Sequence, residues 1–380
     1  MKFLTLRAVA TALLLGAASV GATAPAFAQP LPAAVGRPLQ EARTLADSGR
    51  YREAMARVDA AAGAAKSANE NRVVEQMRQY VAVKSGDASI GGALGAKAKF
   101  AADAAARRWR EVIAGGEALR KLNALDSQSM LVVAQAHYSL NDPKACMSYI
   151  RSNRLGGEVA LALLQRCAYD AGDDATQRSA LEQLVASTGK PEHWKSLLRL
   201  AERSRGLSDH NTLDILRIKA MTGSYNGADD VMLHAQMAIQ LKMAAEGKAV
   251  VEKGVADKLL PANDRTNRLL KLANDRVNES AAGAAKALAA AQSAKEGDAL
   301  VAIGEDMIGQ GKAKEAIAVI QSGIAKKPKD MANAQIRLGS AYLAAGQKPQ
   351  ALKAFQAAVA AKGNEGTTMV AQLYATYARR

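Results

Sequence analysis

Two cysteines, Cys146 and Cys167, are the residues whose type and spacing most readily suggest covalent chemistry in this 380-residue chain. The Gly156-Gly157 pair stands midway between them. Two antiparallel helices joined at that turn would bring the cysteines level, so a disulfide is geometrically reasonable if both side chains point inward. In the loop-entropy picture, closing about 21 residues would add roughly 3 kcal/mol. The alternative is a pair of buried free thiols. No histidine stands at ligand spacing to either cysteine, which argues against a metal site.

The remaining chemistry-bearing residues form no catalytic pattern. His137, His193, His210 and His234 show neither an HExxH motif nor a paired spacing, and there is no Cys-x-x-Cys, phosphate loop, dinucleotide fingerprint or nucleophile elbow. Gly91-Gly92-Ala93-Leu94-Gly95 is glycine-rich but lacks a following Lys-Ser/Thr, so it reads as a turn or a close helix contact. Asp173-Asp174 and Asp229-Asp230 could suggest hard-cation ligands. Each pair opens an expected helix, where carboxylates favour the positive dipole end, and capping is the better reading. Trp109 or Trp194 could anchor a partner if exposed. Leu197, Leu198 and Leu200 follow Trp194 closely and place it in a core. The expectation is a protein that is not an enzyme, with no catalytic, cofactor-binding or metal site and no cofactor.

The elements behind these residues are helices. Hydrophobic residues make up 49% of the chain but aromatics only 4%, and alanine supplies much of the difference. Alanine is the strongest helix former, whereas strands favour β-branched and aromatic types. Helices are expected over about 69–84, 96–122, 157–171, 176–187, 192–204, 208–222, 228–244 and 249–258. Breaks are expected at Gly156-Gly157, Gly172-Asp173, Gly189-Lys190-Pro191, Gly223 and Gly247. Asn263-Asp264-Arg265 and Asn274-Asp275-Arg276 recur close to three helical turns apart and could share a face. Ala281 to Ala294 reads as a helical connector or, alternatively, a flexible joint.

The C-terminal part repeats. Gly304, Gly311, Ala316 and Ile320 each stand 35 residues before Gly339, Gly346, Ala351 and Phe355. A fixed period of this size marks stacked helical hairpins. Small residues let paired helices approach, and a glycine between them takes the left-handed conformation that ends a helix. Leu338, Tyr342, Phe355 and Val359 fall at helical spacing to fill the space between hairpins.

In Leu338-Gly339-x-x-Tyr342…Gly346…Ala351…Phe355…Ala358 the chain resembles the tetratricopeptide repeat. The preceding unit, Ile303-Gly304…Gly311…Ala316…Ile320…Gly323…Pro328, matches in register, with Met307 where that motif prefers tyrosine; the family's tryptophan is missing from both. Ala42, Gly49, Ala54, Val58 and Ala61 form a more divergent match. A fourth turns at Asn141-Asp142-Pro143, with Asp142 as N-cap, Pro143 at the first helical position, His137 at the tyrosine position and Cys146 at the alanine position. Residues 127–380 also look like a broader group of secreted bacterial repeat proteins. Lys190-Pro191-Glu192-His193-Trp194, Ser208-Asp209, Leu213-Asp214, Thr222-Gly223 and Ala228-Asp229-Asp230 carry that likeness, which implies fold and export more than role. The implied fold is all-α, a superhelical array of antiparallel helix hairpins, that is, a TPR-like α-solenoid. The expected organisation is a signal peptide over 1–28, divergent helical repeats over 29–260, a helical connector over 261–296, and a C-terminal repeat pair with a capping helix over 297–380.

Lys2 and Arg7, the uncharged stretch Ala8 to Ala22, and the small-x-small Ala26-Phe27-Ala28 read as a cleaved export signal, with the mature chain starting at Gln29. The expected location is the periplasm or the exterior, with no transmembrane span in the mature chain. Lys and Arg number 51 against 36 Asp and Glu, a net +15. No run of five or six like charges occurs, so nucleic acid is not the expected partner. The function expected from these features is an exported scaffold or adaptor that binds a protein or peptide partner in the cell envelope, the positive balance suggesting an acidic one. The alternative is an envelope structural protein attached through its basic surface to anionic lipid or cell-wall polymer.

Overall fold

The computed structural model describes residues 31–204 and 206–380. The signal peptide expected over 1–28 and the start at Gln29 lie outside the described residues. Among the described residues there are nineteen helices and no strand. The chain divides into two compact units, up to Gln177 and from Arg178.

The first unit holds α1 (Ala33–Asp47), α2 (Tyr51–Ala64), α3 (Ala68–Ser85), α4 (Ala88–Ala105), α5 (Trp109–Lys121), α6 (Ser127–Ser139), α7 (Pro143–Ser152), α8 (Gly157–Ala171) and the start of α9 (Asp174–Thr188). From α1 to α8 each helix packs on its successor, as stacked hairpins require. Local chemistry sets the starts. Ser67 and Glu70 form a capping box on α3, and Asp142 Oδ1 accepts from the Ala145 backbone N–H at 2.9 Å with Pro143 in the first turn of α7. Asp173 likewise caps α9, accepting from the Thr176 N–H at 2.9 Å. Val35, Leu39, Val58 and Met77, all fully buried, join α1 to α3 in one core.

Two helices stand where the sequence suggested one over 96–122. Arg107, at φ 56°, closes α4 three residues after the buried Ala104. Lys242, at φ 68°, likewise ends a helix inside the expected 228–244. Neither position carries the glycine or proline that signals a break, which is why the pattern hid them.

The second unit continues with α10 (Pro191–Ala201), α11 (Asp209–Thr222), α12 (Ala228–Gln240), α13 (Ala244–Ala256), α14 (Asp264–Ser293), α15 (Asp298–Gly309), α16 (Ala313–Ala325), α17 (Met331–Ala344), α18 (Lys348–Ala360) and α19 (Glu365–Ala378). Gly247 lies inside α13 rather than at a break. A Cβ there would meet Ile239 and the Ala235 carbonyl, so the glycine lets α13 close on α12. Asp264–Ser293 is one helix of 30 residues across most of the stretch expected as a connector. Gly304 faces Ile320, and Gly339 faces the Phe355 ring. Gly49, Gly311 and Gly346 hold the left-handed turns, at φ 78°, 79° and 75°.

The array in this unit does not simply run on. The last helix, α19, returns to pack on α11 as well as on α17 and α18. Tyr374 stacks on Phe355 at 4.9 Å between ring centres, and Tyr377 meets Trp194 edge-on at 6.3 Å. Arg380 Nη1 donates to the Val185 carbonyl at 2.6 Å. The helices thus close around a polar centre. Among the described residues no helix is long and apolar enough to cross a membrane.

Candidate functional site

The polar centre begins with charges embedded in apolar helical runs. Asp214 lies between Leu213 and Ile215 on α11, and Arg337 between Ile336 and Leu338 on α17; both charged side chains are fully buried. Arg337 donates from Nη1 to Asp214 Oδ1 at 2.7 Å and to Glu305 Oε1 at 2.6 Å. Its Nη2 donates to Asp214 Oδ2 and, at 2.9 Å, to Asn333 Oδ1 one turn back. Arg217, one turn along α11 from Asp214, holds Glu246 of α13 bidentately, at 2.8 and 2.6 Å, and donates to Glu305 Oε1 at 2.8 Å. Tyr374 on α19 donates its hydroxyl to Asp214 Oδ1 at 3.2 Å.

His234 on α12 extends the cluster. Its Nε2 lies 2.9 Å from Glu246 Oε1, and its Nδ1 lies 2.5 Å from the Tyr225 hydroxyl. A carboxylate only accepts, so Nε2 carries a proton toward Glu246. Six helices, α11, α12, α13, α15, α17 and α19, are stitched together this way.

The electrostatics follow the geometry. Burial opposes charge on Glu246, but the Arg217 guanidinium and the His234 bond outweigh it and hold the carboxyl far below its ordinary range. Burial likewise opposes charge on Arg337, and Asp214 and Glu305 overcome it. Tyr374 is pushed up by burial and by Asp214. Asp306, beside Glu305, is also pushed up, chiefly by burial and further by Glu246 and Glu305.

Against this cluster lies a cavity of about 430 Å³. Arg217, Glu246, Glu305 and Arg337 form its charged side, while Val250, Ile308, Leu343 and Tyr377 supply apolar wall. Ala249, Ala344 and Lys348 line it from exposed positions. Ser340 Oγ, also in the lining, is buried beside the Tyr374 hydroxyl. The guanidinium protons are committed to neighbouring oxygens and, from Arg217, to the Met243 sulfur, so the arrangement clamps the helices beside the cavity.

The residues singled out from sequence lie elsewhere or behind this site. Cys146 and Cys167 sit in the first unit on α7 and α8, fully buried, with their sulfurs at disulfide distance and Cα atoms 6.4 Å apart. Ala54, Ala316, Ala351 and Phe355 are fully buried, and Leu338 is nearly so. Tyr342 is half-buried and accepts from Gln321 Nε2 at 3.0 Å. Trp194 is buried, and His137 lies against Tyr149 at 5.7 Å between ring centres. Asp230 accepts from the buried Lys219 at 2.9 Å and from the Asn226 N–H. Sequence reasoning missed Asp214, Arg217, Glu246, Glu305, Arg337 and Tyr374. The available signal was a charge set inside a continuous apolar run, as at Asp214 and Arg337.

Fold and cavity define a class: among the described residues, an all-α protein of packed helix hairpins with a helix-lined cavity. Residues 307–375 match the family model of the tetratricopeptide repeat. No curated protein matches the chain. Among solved structures it is similar to the P58(IPK) TPR domain, at 15% identity and a TM-score of 0.26, covering 91% of this chain and 97% of that one. It is also similar to the APC/C hetero-tetramer Cut9-Hcn1, at 11% identity and a TM-score of 0.24, covering 97% of this chain and 81% of that one.

Proposed function

We propose that this protein is an exported scaffold or adaptor that holds a protein or peptide partner in the cell envelope, and that it acts by binding rather than by catalysis. The carrying observation is the tetratricopeptide repeat over 307–375, whose helices α17, α18 and α19 contribute to the wall of the cavity. Stacked hairpins present side chains from several helices toward one ligand while the scaffold stays rigid. Two features support export: the basic-then-apolar N-terminal pattern, and a buried cysteine pair at disulfide distance, which suits an oxidising compartment. The excess of 51 basic over 36 acidic residues would draw an acidic partner at long range.

Affinity capture from envelope extracts, with identification by mass spectrometry, tests this reading. Cutting away Gly297–Arg380 is a poor control, because it removes Glu305, Arg337 and Tyr374 from the core of the second unit. The substitution Ala344→Phe fills the cavity from an exposed position instead. A specific partner retained by the native chain and lost by Ala344→Phe supports the reading; recovery of the same proteins by both, or of none, contradicts it. Attachment that disappears in high salt with every variant alike would point instead to anionic lipid or polymer held by charge.

A further inference from the structure

The whole chain is strongly basic, yet the buried side of the cavity is not. Two carboxylates of its lining, Glu246 and Glu305, with Asp214 behind them, stand against two guanidiniums, Arg217 and Arg337. The guanidiniums spend their protons on Asp214, Glu246, Glu305, Asn333 and the Met243 sulfur. Of the lysines in the lining, Lys253 lies 2.8 Å from Asp257, which offsets its charge, and Lys348 is exposed.

Glu305 is the decisive group. It is 5% exposed, and it lines the cavity. Its Oε1 accepts from both arginines, whereas its Oε2 has no hydrogen bond among the described residues; His210 Nδ1 lies 3.9 Å from it. In the lining of the cavity, that oxygen is free to accept from an incoming donor. The adjoining wall of Val250, Ile308 and Leu343 suits a hydrocarbon stem.

From this we infer that the cavity is a receptor for a basic side chain, lysine or arginine, presented by the bound protein partner. The methylene stem packs on Ile308 and Leu343, and the cationic head meets the acid-rich side at Glu305. The inference rests on the scaffold reading for its source, a protein rather than a free amine. It accounts for a basic protein keeping an excess of carboxylates where its helices converge.

The test uses side-chain mimics and the full chain. N-acetyl-lysine N-methylamide, its norleucine counterpart and its glutamate counterpart are titrated in turn while the methyl resonances of Met221, Ile308 and Leu343 are followed by NMR. The lysine mimic should shift these methyls and bind about tenfold more tightly than norleucine, the scale of one charge-assisted hydrogen bond. Glu305→Gln should erase that difference. Since Glu305→Gln also disturbs two buried arginines, Ala344→Phe serves as the second variant and should block the lysine mimic with the charges intact. Equal binding of lysine and norleucine, tighter binding of glutamate, no methyl shifts, or undiminished binding to Ala344→Phe would each overturn the inference. None of these outcomes depends on capturing a protein partner, so failure of the scaffold reading would show separately in the envelope capture.

Discussion

Arg337 and Asp214 face each other fully buried, 123 residues apart in sequence, with both terminal nitrogens of the arginine on the carboxylate. The pair binds the repeat segment to α11 and fixes where α19 returns. Removing one partner of such a pair leaves the other charge buried without its full compensation.

Arg337→Met should therefore destabilise the protein by about 3–5 kcal/mol, the range for breaking a buried ion pair. Urea unfolding followed by circular dichroism would measure it. Combining Arg337→Met with Asp214→Leu should cost less than the sum of the single changes, since the stranded carboxylate is gone. Strict additivity would contradict the coupling.

Acid should loosen the second unit through Glu246. Its folded-state carboxyl titrates well below the ordinary glutamate value of 4.5, because Arg217 and His234 outweigh burial. A depressed carboxyl contributes stability that is complete above its unfolded-state value and is lost as pH falls toward the folded-state value. The urea midpoint should drop as pH falls below about 4.5, and Glu246→Gln should be less stable near neutrality but show a shallower drop. Asp306, pushed up mainly by burial, acts in the opposite sense: its ionisation disfavours the fold as pH rises through the carboxylate range. Asp306→Asn should therefore steepen the acid loss.

The cysteine pair predicts a redox-dependent first unit. Oxidised protein, denatured without reductant, should take up no thiol label at Cys146 or Cys167. Reduction should lower stability by roughly 3 kcal/mol, the loop-entropy figure for a closed loop of this length. Labelling of both residues before reduction would contradict the bond.

Two glycines of the same repeat should respond differently to added carbon. At Gly339 a side chain would overlap the Phe355 ring, so Gly339→Val should cost on the order of 3 kcal/mol or more, as overpacking does. Gly346 has open space but a φ of 75°, so Gly346→Ala should cost only about 1 kcal/mol of backbone strain. Thermal unfolding of the two variants would order them.

These contrasts show what was legible in the sequence. The 35-residue offset from Gly304 to Gly339 announces stacked hairpins because close helix packing and left-handed turns demand small residues at fixed places. The turns at Arg107 and Lys242 were hidden, since residues that ordinarily favour helix adopt the left-handed conformation there. The closure of α19 onto α11, and with it the charged side of the cavity, was not legible. Asp214, Glu305 and Arg337 come together from distant helices, and a single buried charge in an apolar run does not name its partner. Local periodicity reports which face is buried, not which distant element covers it.

The central claim is that the cavity beside Glu305 holds a segment of a protein partner. Site-specific photocrosslinking from position 344, an exposed part of the cavity lining, tests it most directly. Position 286, exposed in the C-terminal third of α14, serves as the control. The account predicts that the photoreactive residue at 344, in envelope extracts, joins one protein through one defined peptide next to a lysine or arginine, and that the control does not. Identical adducts from both positions, or none from 344, would contradict it.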